Sequence, residues 1–285
     1  MNMDNKRNVE VVVISDVHLG TSGCQAVELL KYLKSIKPKI LILNGDIIDI
    51  WQFKKRYFPK SHLKVVKHLM GLASERCTVY YITGNHDEML RRFTGMKVGR
   101  LRIINDLKLE LDGQTTWFFH GDVFDVVMQY SKWLSKLGAI GYDFLVGLNT
   151  LINWIFRFLD LKLKPVSFSK KIKESVKSAV KFINAFEETV ANVAARKGID
   201  TVVCGHIHKP EMRKIEIENS TVNYLNSGDW IENLTALEYN NGKWGIFNYR
   251  TDFIEEPGIL VTDYEKLVDV GVKDLFKNML VEFSN

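Results

Sequence analysis

Apolar positions along the chain fall into short, β-branched runs at 9–15, 39–44, 78–83, 116–120 and 201–205, each stopping at a cluster of Gly, Asn, Asp or His. Uninterrupted runs of that length, closed by turn-forming residues, predict strands buried on both faces. Between the first three runs, residues 25–35 and 62–74 repeat their apolar positions at helical spacing, and the resulting β-α-β-α-β alternation implies an α/β sheet with parallel strands. Four later runs, 212–217, 221–226, 235–239 and 243–249, follow one another without helices. With Asn240-Asn241-Gly242 as a hairpin turn, they predict a second, largely antiparallel sheet. A helical stretch at 123–198 interrupts this plan, so the expected organisation is a body at 9–250, an insertion within it at 123–198, and a tail at 251–285.

Composition narrows the class. Of 285 residues 46% are hydrophobic, with 5 Pro against 19 Gly, which excludes collagen-like and low-complexity chains and leaves enough length for a full α/β core. Cys24, Cys77 and Cys204 form no C-x-x-C pair; a disulfide framework and a thiolate zinc site are unsupported, and a reducing cytosol is expected. The apolar stretch 9–14 is too short for an export signal, and no spanning helix is expected because no apolar run reaches the length that crossing a bilayer requires. The net charge of +5 is unevenly spread: 251–285 holds three Lys against eight carboxylates, leaving +10 on the first 250 residues. A cationic body suits an anionic partner: nucleic acid, a membrane surface or a phosphorylated substrate.

Five of the seven histidines follow strand candidates directly, in the segments Asp16-Val17-His18, Gly45-Asp46-Ile47-Ile48-Asp49, Gly84-Asn85-His86-Asp87, His120-Gly121-Asp122 and Gly205-His206-Ile207-His208. Residues i and i+2 of an extended segment point the same way, and strand ends in an open α/β sheet face one crevice. Asp16, His18, Asp46, Asn85, His120, His206 and His208 are too many ligands for one ion. A carboxylate such as Asp46 can bridge two, so a two-ion site is the economical arrangement. Two divalent ions against two carboxylates leave a balance that favours hydroxide and phosphate as the remaining ligands. Nitrogen and oxygen donors without sulfur suit Mn²⁺, Fe²⁺, Zn²⁺ or Ni²⁺ better than Ca²⁺, and affinity order alone does not choose among them. Phosphoester hydrolysis is the expected reaction, with His86, oriented by Asp87, as general acid. His62 and His68 lie on a helical pattern and are expected at the surface.

D-x-H, G-D-x-x-D, G-N-H-D, H-G-D and G-H-x-H, in that order, resemble the calcineurin-like metallophosphoesterase superfamily over roughly residues 9–250. The resemblance implies a four-layer α/β/β/α sandwich of two mixed sheets with a helical cap insertion. It also implies one ion on Asp16, His18, Asp46 and His208 and a second on Asp46, Asn85, His120 and His206. The protein Ser/Thr phosphatases of the superfamily carry G-D-x-x-D-R-G and G-N-H-E, whereas Asp49 here is followed by Ile50-Trp51 and the third motif ends in Asp87. Asp46, Asp49 and Trp51 in G-D-x-x-D-x-W, with the late segment Asn226-Ser227-Gly228-Asp229-Trp230, are similar to the UDP-2,3-diacylglucosamine pyrophosphatases of lipid A synthesis. One departure is His86, where the enterobacterial form usually has Arg.

That likeness implies cleavage of UDP-2,3-diacylglucosamine to UMP and the acylated sugar phosphate, in the cytoplasm at the inner face of the membrane. The insertion suits such a substrate. Residues 144–159 form an apolar helical pattern with one polar stripe through Asn149, Asn153 and Arg157, and 157–181 carries eight basic residues against two acidic ones. Apolar surface beside a cationic strip can meet anionic lipid or an acylated phosphosugar. Arg157, Lys170 and Lys171 are candidates for the headgroup or diphosphate; Asp49 and Asp122 are candidates either to orient imidazoles or to touch substrate, Trp51 is a candidate near the reacting phosphate, and Asp229 and Trp230 either join it there or close a strand. The alternatives are a hydrolase of soluble nucleotides and a scaffold without turnover, which predicts gaps in the ligand set. No nucleic-acid partner is expected.

Overall fold

The computed structural model describes residues 6–51, 58–74, 77–124, 168–217 and 220–253, with backbone only for 168–181. The chain divides into two compact units, Met1–Thr251 and Asp252–Asn285, and the elements below belong to the first.

β1 (Arg7–Ile14), β2 (Ile36–Asn44) and β3 (Thr78–Ile82) are parallel and joined through α1 (Ala26–Ser35) and α2 (Lys60–Ser74). α1 buries Ala26, Leu29, Leu30 and Leu33, the i, i+3, i+4, i+7 stripe of a helix lying on a sheet. After a 3₁₀ turn at Glu88–Phe93 come four strands that the apolar pattern does not announce in full: β4 (Lys97–Val98), β5 (Leu101–Ile104), β6 (Asp106–Leu111) and β7 (Gln114–Phe119). Then follow the long helix α3 (Phe168–Arg196), β8 (Thr201–Cys204), β9 (Glu211–Ile217), β10 (Ser220–Asn226), β11 (Thr235–Asn240) and β12 (Lys243–Asn248). Sheet one runs β12-β11-β1-β2-β3-β5-β4 and sheet two β6-β7-β8-β10-β9.

The late strands correct one expectation. They do not make a sheet of their own. β9 and β10 extend sheet two, where β10 lies parallel to β8, while β11 and β12 cross to sheet one and β11 pairs antiparallel with β1. The reason is hydrogen bonding: β1 is buried on both faces, and without β11 its edge amides would be buried unpaired.

Side chains alternate between two cores. Phe118, Val203 and Leu225 of sheet two meet Val11, Val13, Ile42, Ile82 and Leu237 of sheet one. Their neighbours Trp117, Phe119, Val202, Cys204 and Tyr224 face outward onto Phe186, Val190, Ala191 and Ala194 of α3. The layers are therefore α1 and α2, sheet one, sheet two and α3: the four-layer α/β/β/α sandwich of two mixed sheets. The buried Asn44 side chain ties the sheets together at their carboxyl ends, donating to the carbonyls of Phe119 (3.0 Å) and Val203 (3.5 Å). All three cysteines are free and buried, as their apolar settings lead one to expect. No described helix is long and apolar enough to cross a membrane.

Candidate metal centre

The carboxyl ends of β1, β2, β3, β7, β8 and β10 open on one place, and the backbone there is unusual. Asp16, His18, Asp46, His206 and His208 have φ of 51, 52, 53, 68 and 54°, the left-handed region that costs non-glycine residues about 1–2 kcal/mol each. Five of the eight such residues described in the chain are thus candidate ligands. Cross-strand bonds hold them there. Asp16 N donates to the Gly45 carbonyl (3.1 Å), His18 N to the Asp46 carbonyl (2.9 Å) and His206 N to Asp16 Oδ2 (3.0 Å). Two glycines make the approach possible: a Cβ on Gly205 would stand 2.5 Å from Asp16 Oδ2, and one on Gly84 would overlap the Asp46 carboxylate and amide.

Three overlapping clusters of ligand atoms result, each within 4.8 Å: Asp16, His18 and His208; His18, Asp46 and His86; and Asp46, His120 and His206. Asp46 joins the last two. The ring tautomers follow from the partners. His120 Nδ1 lies 2.9 Å from the Asn44 carbonyl, which can only accept, so Nδ1 carries a proton and Nε2 is the nitrogen whose lone pair the neutral ring would offer to a metal. His18 Nδ1 faces Asp49 Oδ2 at 3.2 Å, which likewise leaves Nε2 for a ligand role. His18 Nε2 and Asn85 Oδ1 are buried with no hydrogen-bond partner, and Asp16 Oδ1 and His120 Nε2 are buried with only His208 Nε2 and Asp46 Oδ2, each 3.2 Å away, facing them as charged neighbours. Leaving such atoms unsatisfied costs about 1–3 kcal/mol apiece, so an oxygen and nitrogen donor set converging this way fits a pair of divalent cations.

Electrostatics agree. Burial opposes charge on Asp16, but the imidazoles of His208, His120 and His18 outweigh it and hold the carboxyl well below the ordinary range. Asp46 is likewise brought down to about 2, with His120 overcoming burial. Burial disfavours a charged His208, yet Asp16, 3.2 Å away, raises it to about 9. His86 is raised too: burial works against its charge, and Asp49 and Asp46 prevail.

His86 sits where an acid should, with Nε2 4.0 Å from Asp46 Oδ2 and its ring about one-quarter exposed. Its orienting group is not Asp87, which is a correction. Asp87 is consumed by the amides of Gly84 (2.6 Å) and Ile47 (3.0 Å) and the Tyr81 hydroxyl (2.6 Å), so it shapes the turn beneath the site. The imidazole of His86 is held instead by Asp49, whose Oδ2 lies 2.9 Å from Nδ1 and also serves His18. A carboxylate five residues after β2 reaches both rings because the loop turns back under them; sequence spacing does not reveal this.

The outer candidates divide. Trp51 is half exposed with its ring 5.5 Å from that of His86. Asp122 pairs with Arg91. Asp229 lies 3.7 Å from His208 Nδ1, and it also accepts from the amides of Ile231, Glu232 and Asn233. Trp230 is not at the surface of the site: it is wholly buried and stacked on Tyr32 at 5.4 Å, because the loop between β10 and β11 must be anchored as it changes sheets. His62 is also corrected, being buried and accepting from Gly20 N at 3.0 Å. Lys170 and Lys171 lie in the first turn of α3; Arg157, the apolar helix 144–159 and the tail 254–285 fall outside the described residues.

The profile of the calcineurin-like phosphoesterase family matches residues 9–210. Among curated relatives, the UDP-2,3-diacylglucosamine hydrolase of Stenotrophomonas maltophilia strain K279a is 25% identical over 82% of this chain and 96% of its own length. The protein of that name from Blochmanniella pennsylvanica is 23% identical over 90% of this chain and 100% of its own length. Among solved structures, the E. coli phosphoesterase Yfce is similar with a TM-score of 0.44 at 13% identity, over 86% of this chain and 96% of that one.

Proposed function

Because the chain belongs to the calcineurin-like phosphoesterase family, whose members are phosphohydrolases dependent on divalent metal ions, we propose that it hydrolyses the pyrophosphate of UDP-2,3-diacylglucosamine, releasing UMP and 2,3-diacylglucosamine 1-phosphate. The observation that carries the chemistry is the convergence of buried, unsatisfied oxygen and nitrogen donors from strands of both sheets. The substrate is supported by relatives named for it that align over most of both chains. In this reading Asp16, His18, Asp46 and His208 hold one ion and Asp46, Asn85, His120 and His206 the other, with Mn²⁺ the first candidate. When bound, such a pair supplies Lewis acidity at the phosphoryl oxygens and a water made acidic enough to attack at neutral pH.

The residues of the chain do the rest. Asp46 spans the two ligand sets. His86, its ring held at Nδ1 by Asp49, is placed to give an Nε2 proton to the oxygen that leaves phosphorus. Asn44 and Asp49 fix the rings of His120 and His18, and Trp51 walls the side on which His86 stands. We place the enzyme on the cytoplasmic face of the membrane, its insertion meeting acyl chains and Arg157, Lys170 and Lys171 meeting phosphate.

The test is Mn²⁺-dependent turnover followed by ³¹P NMR on UDP-2,3-diacylglucosamine, its deacylated counterpart and a panel of soluble nucleotides. Preference for the acylated substrate with UMP as product is expected. Equal or better turnover of the soluble compounds would move the assignment to a soluble-nucleotide hydrolase, and no turnover with Mn²⁺, Fe²⁺, Zn²⁺ or Ni²⁺ would overturn it.

A further inference from the structure

α3 does more at its carboxyl half than cover sheet two. Phe186, Val190 and Ala194 repeat every four residues, and all are buried against β7, β8 and β10. At the top of that stripe the helix reaches the histidines. The ring of Phe186 lies 6.4 Å from that of His206 and 5.9 Å from that of Phe124. A Cβ on Gly121 would stand 3.0 Å from His206 Cβ and 3.1 Å from Phe186 Cζ, so the turn after His120 is clamped between an imidazole and the helix. The rings of His120 and His206 meet edge to face at 5.1 Å.

The next residue is a fully buried acid. Glu187 meets Arg213 at 2.5 Å and Lys209 at 3.7 Å, and Lys209 directly follows His208. A carboxylate placed under an apolar helix is costly unless its partners are held in return. Glu187 thus ties Arg213 of β9 to the helix, whereas Lys209 lies nearer to Glu211, 2.8 Å away, so Glu187 anchors the strand rather than the imidazoles.

We propose that Phe186 is a positioning residue for His120 and His206, so that the helix returning from the insertion also sets how tightly the ion on those two imidazoles is held. The inference rests on the two-ion reading above. Imidazole ligands bind well only when their orientation is fixed by what surrounds them, and loss of such support costs about 10–100-fold in metal affinity. Phe186 supports the turn after His120 and the ring of His206 by contact.

The test compares Phe186→Leu with Val190→Ala, which thins the same apolar stripe one turn away from the histidines, and with Glu187→Gln, which loosens β9 from the helix. Mn²⁺ titration by calorimetry and by electron paramagnetic resonance counts the ions and separates their affinities, while urea unfolding tracks stability. Wild type is expected to take up two ions. Phe186→Leu should weaken one ion about ten-fold, leave the other near its wild-type affinity, and lower kcat with KM unchanged. Val190→Ala and Glu187→Gln should lose stability and keep both ions. Equal weakening of both ions in all three variants, or none in any, would overturn the proposal. A wild-type protein that takes up no Mn²⁺ would overturn the two-ion reading itself, and this inference with it.

Discussion

Asp49 shows how much one side chain decides. Its Oδ2 holds His18 Nδ1 at 3.2 Å and His86 Nδ1 at 2.9 Å, and its charge helps to raise His86. Asp49→Asn should therefore cut metal affinity and kcat about 10–100-fold and move the alkaline limb of the kcat profile to lower pH, because an acid with a lowered pKa loses its proton sooner. A pH-rate series on the two proteins measures both effects; an unmoved limb would remove His86 from the role of acid. His208 carries the second prediction. In metal-free protein its pKa is raised from 6.5 to about 9, so its ion pair with Asp16 contributes stability that is complete below pH 6.5 and lost as pH rises through about 9. Melting of chelator-treated protein should weaken over that window, and bound Mn²⁺, which needs the neutral ring, should abolish the dependence. The ligand residue types were legible in the sequence, since each motif sits where an apolar run stops. The partners of Asp49, Asn44 and Asp87 were not, because which carboxylate or carbonyl meets which ring depends on how loops from different strands fold over one another.

At the scale of elements, the loop from β10 to β11 is the joint between the sheets. The Trp230 amide donates to the Asp16 carbonyl (3.1 Å), its carbonyl accepts from Gln25 N (2.9 Å), and its ring stacks on Tyr32. Trp230→Ala should cost about 3–5 kcal/mol of stability in urea unfolding, whereas a residue that touches substrate would instead raise KM in an otherwise stable protein. Strand periodicity locates β9 to β12 closely in the sequence and still leads to the wrong sheet for the last two. Alternation tells which face of a strand is buried; it carries no information about which edge the strand will find. Short strands such as β4 and β6 escape for a related reason. Lys97–Val98 is exposed, and β6 alternates exposed with half-buried positions, so neither forms the continuous apolar run that marks a buried strand.

For the whole molecule, the division of labour between body and insertion is the point to test. Removing the whole of 125–197 would strip Phe186, Val190, Ala191 and Ala194 from the core of sheet two and would unfold the body whatever the insertion does. Removing 125–167 and joining the chain to α3 is the cleaner experiment. If the insertion meets the membrane, this variant should keep Mn²⁺ binding and lose flotation with anionic liposomes, and flotation of the intact protein should fall with salt as its cationic surface is screened. Undiminished flotation of the shortened protein would assign membrane contact to the body.

The order of the five motifs, the strands that carry them and the nature of the donors are properties of the linear chain, because a ligand's chemistry belongs to its own side chain and a buried strand announces itself by its own hydrophobicity. Which rings Asp49 would hold, how four late strands divide between two sheets, and that α3 reaches the imidazoles were decided only in three dimensions. Those are pairings between residues distant in sequence, chosen by the need to satisfy every buried edge and charge at once, and no local pattern records them.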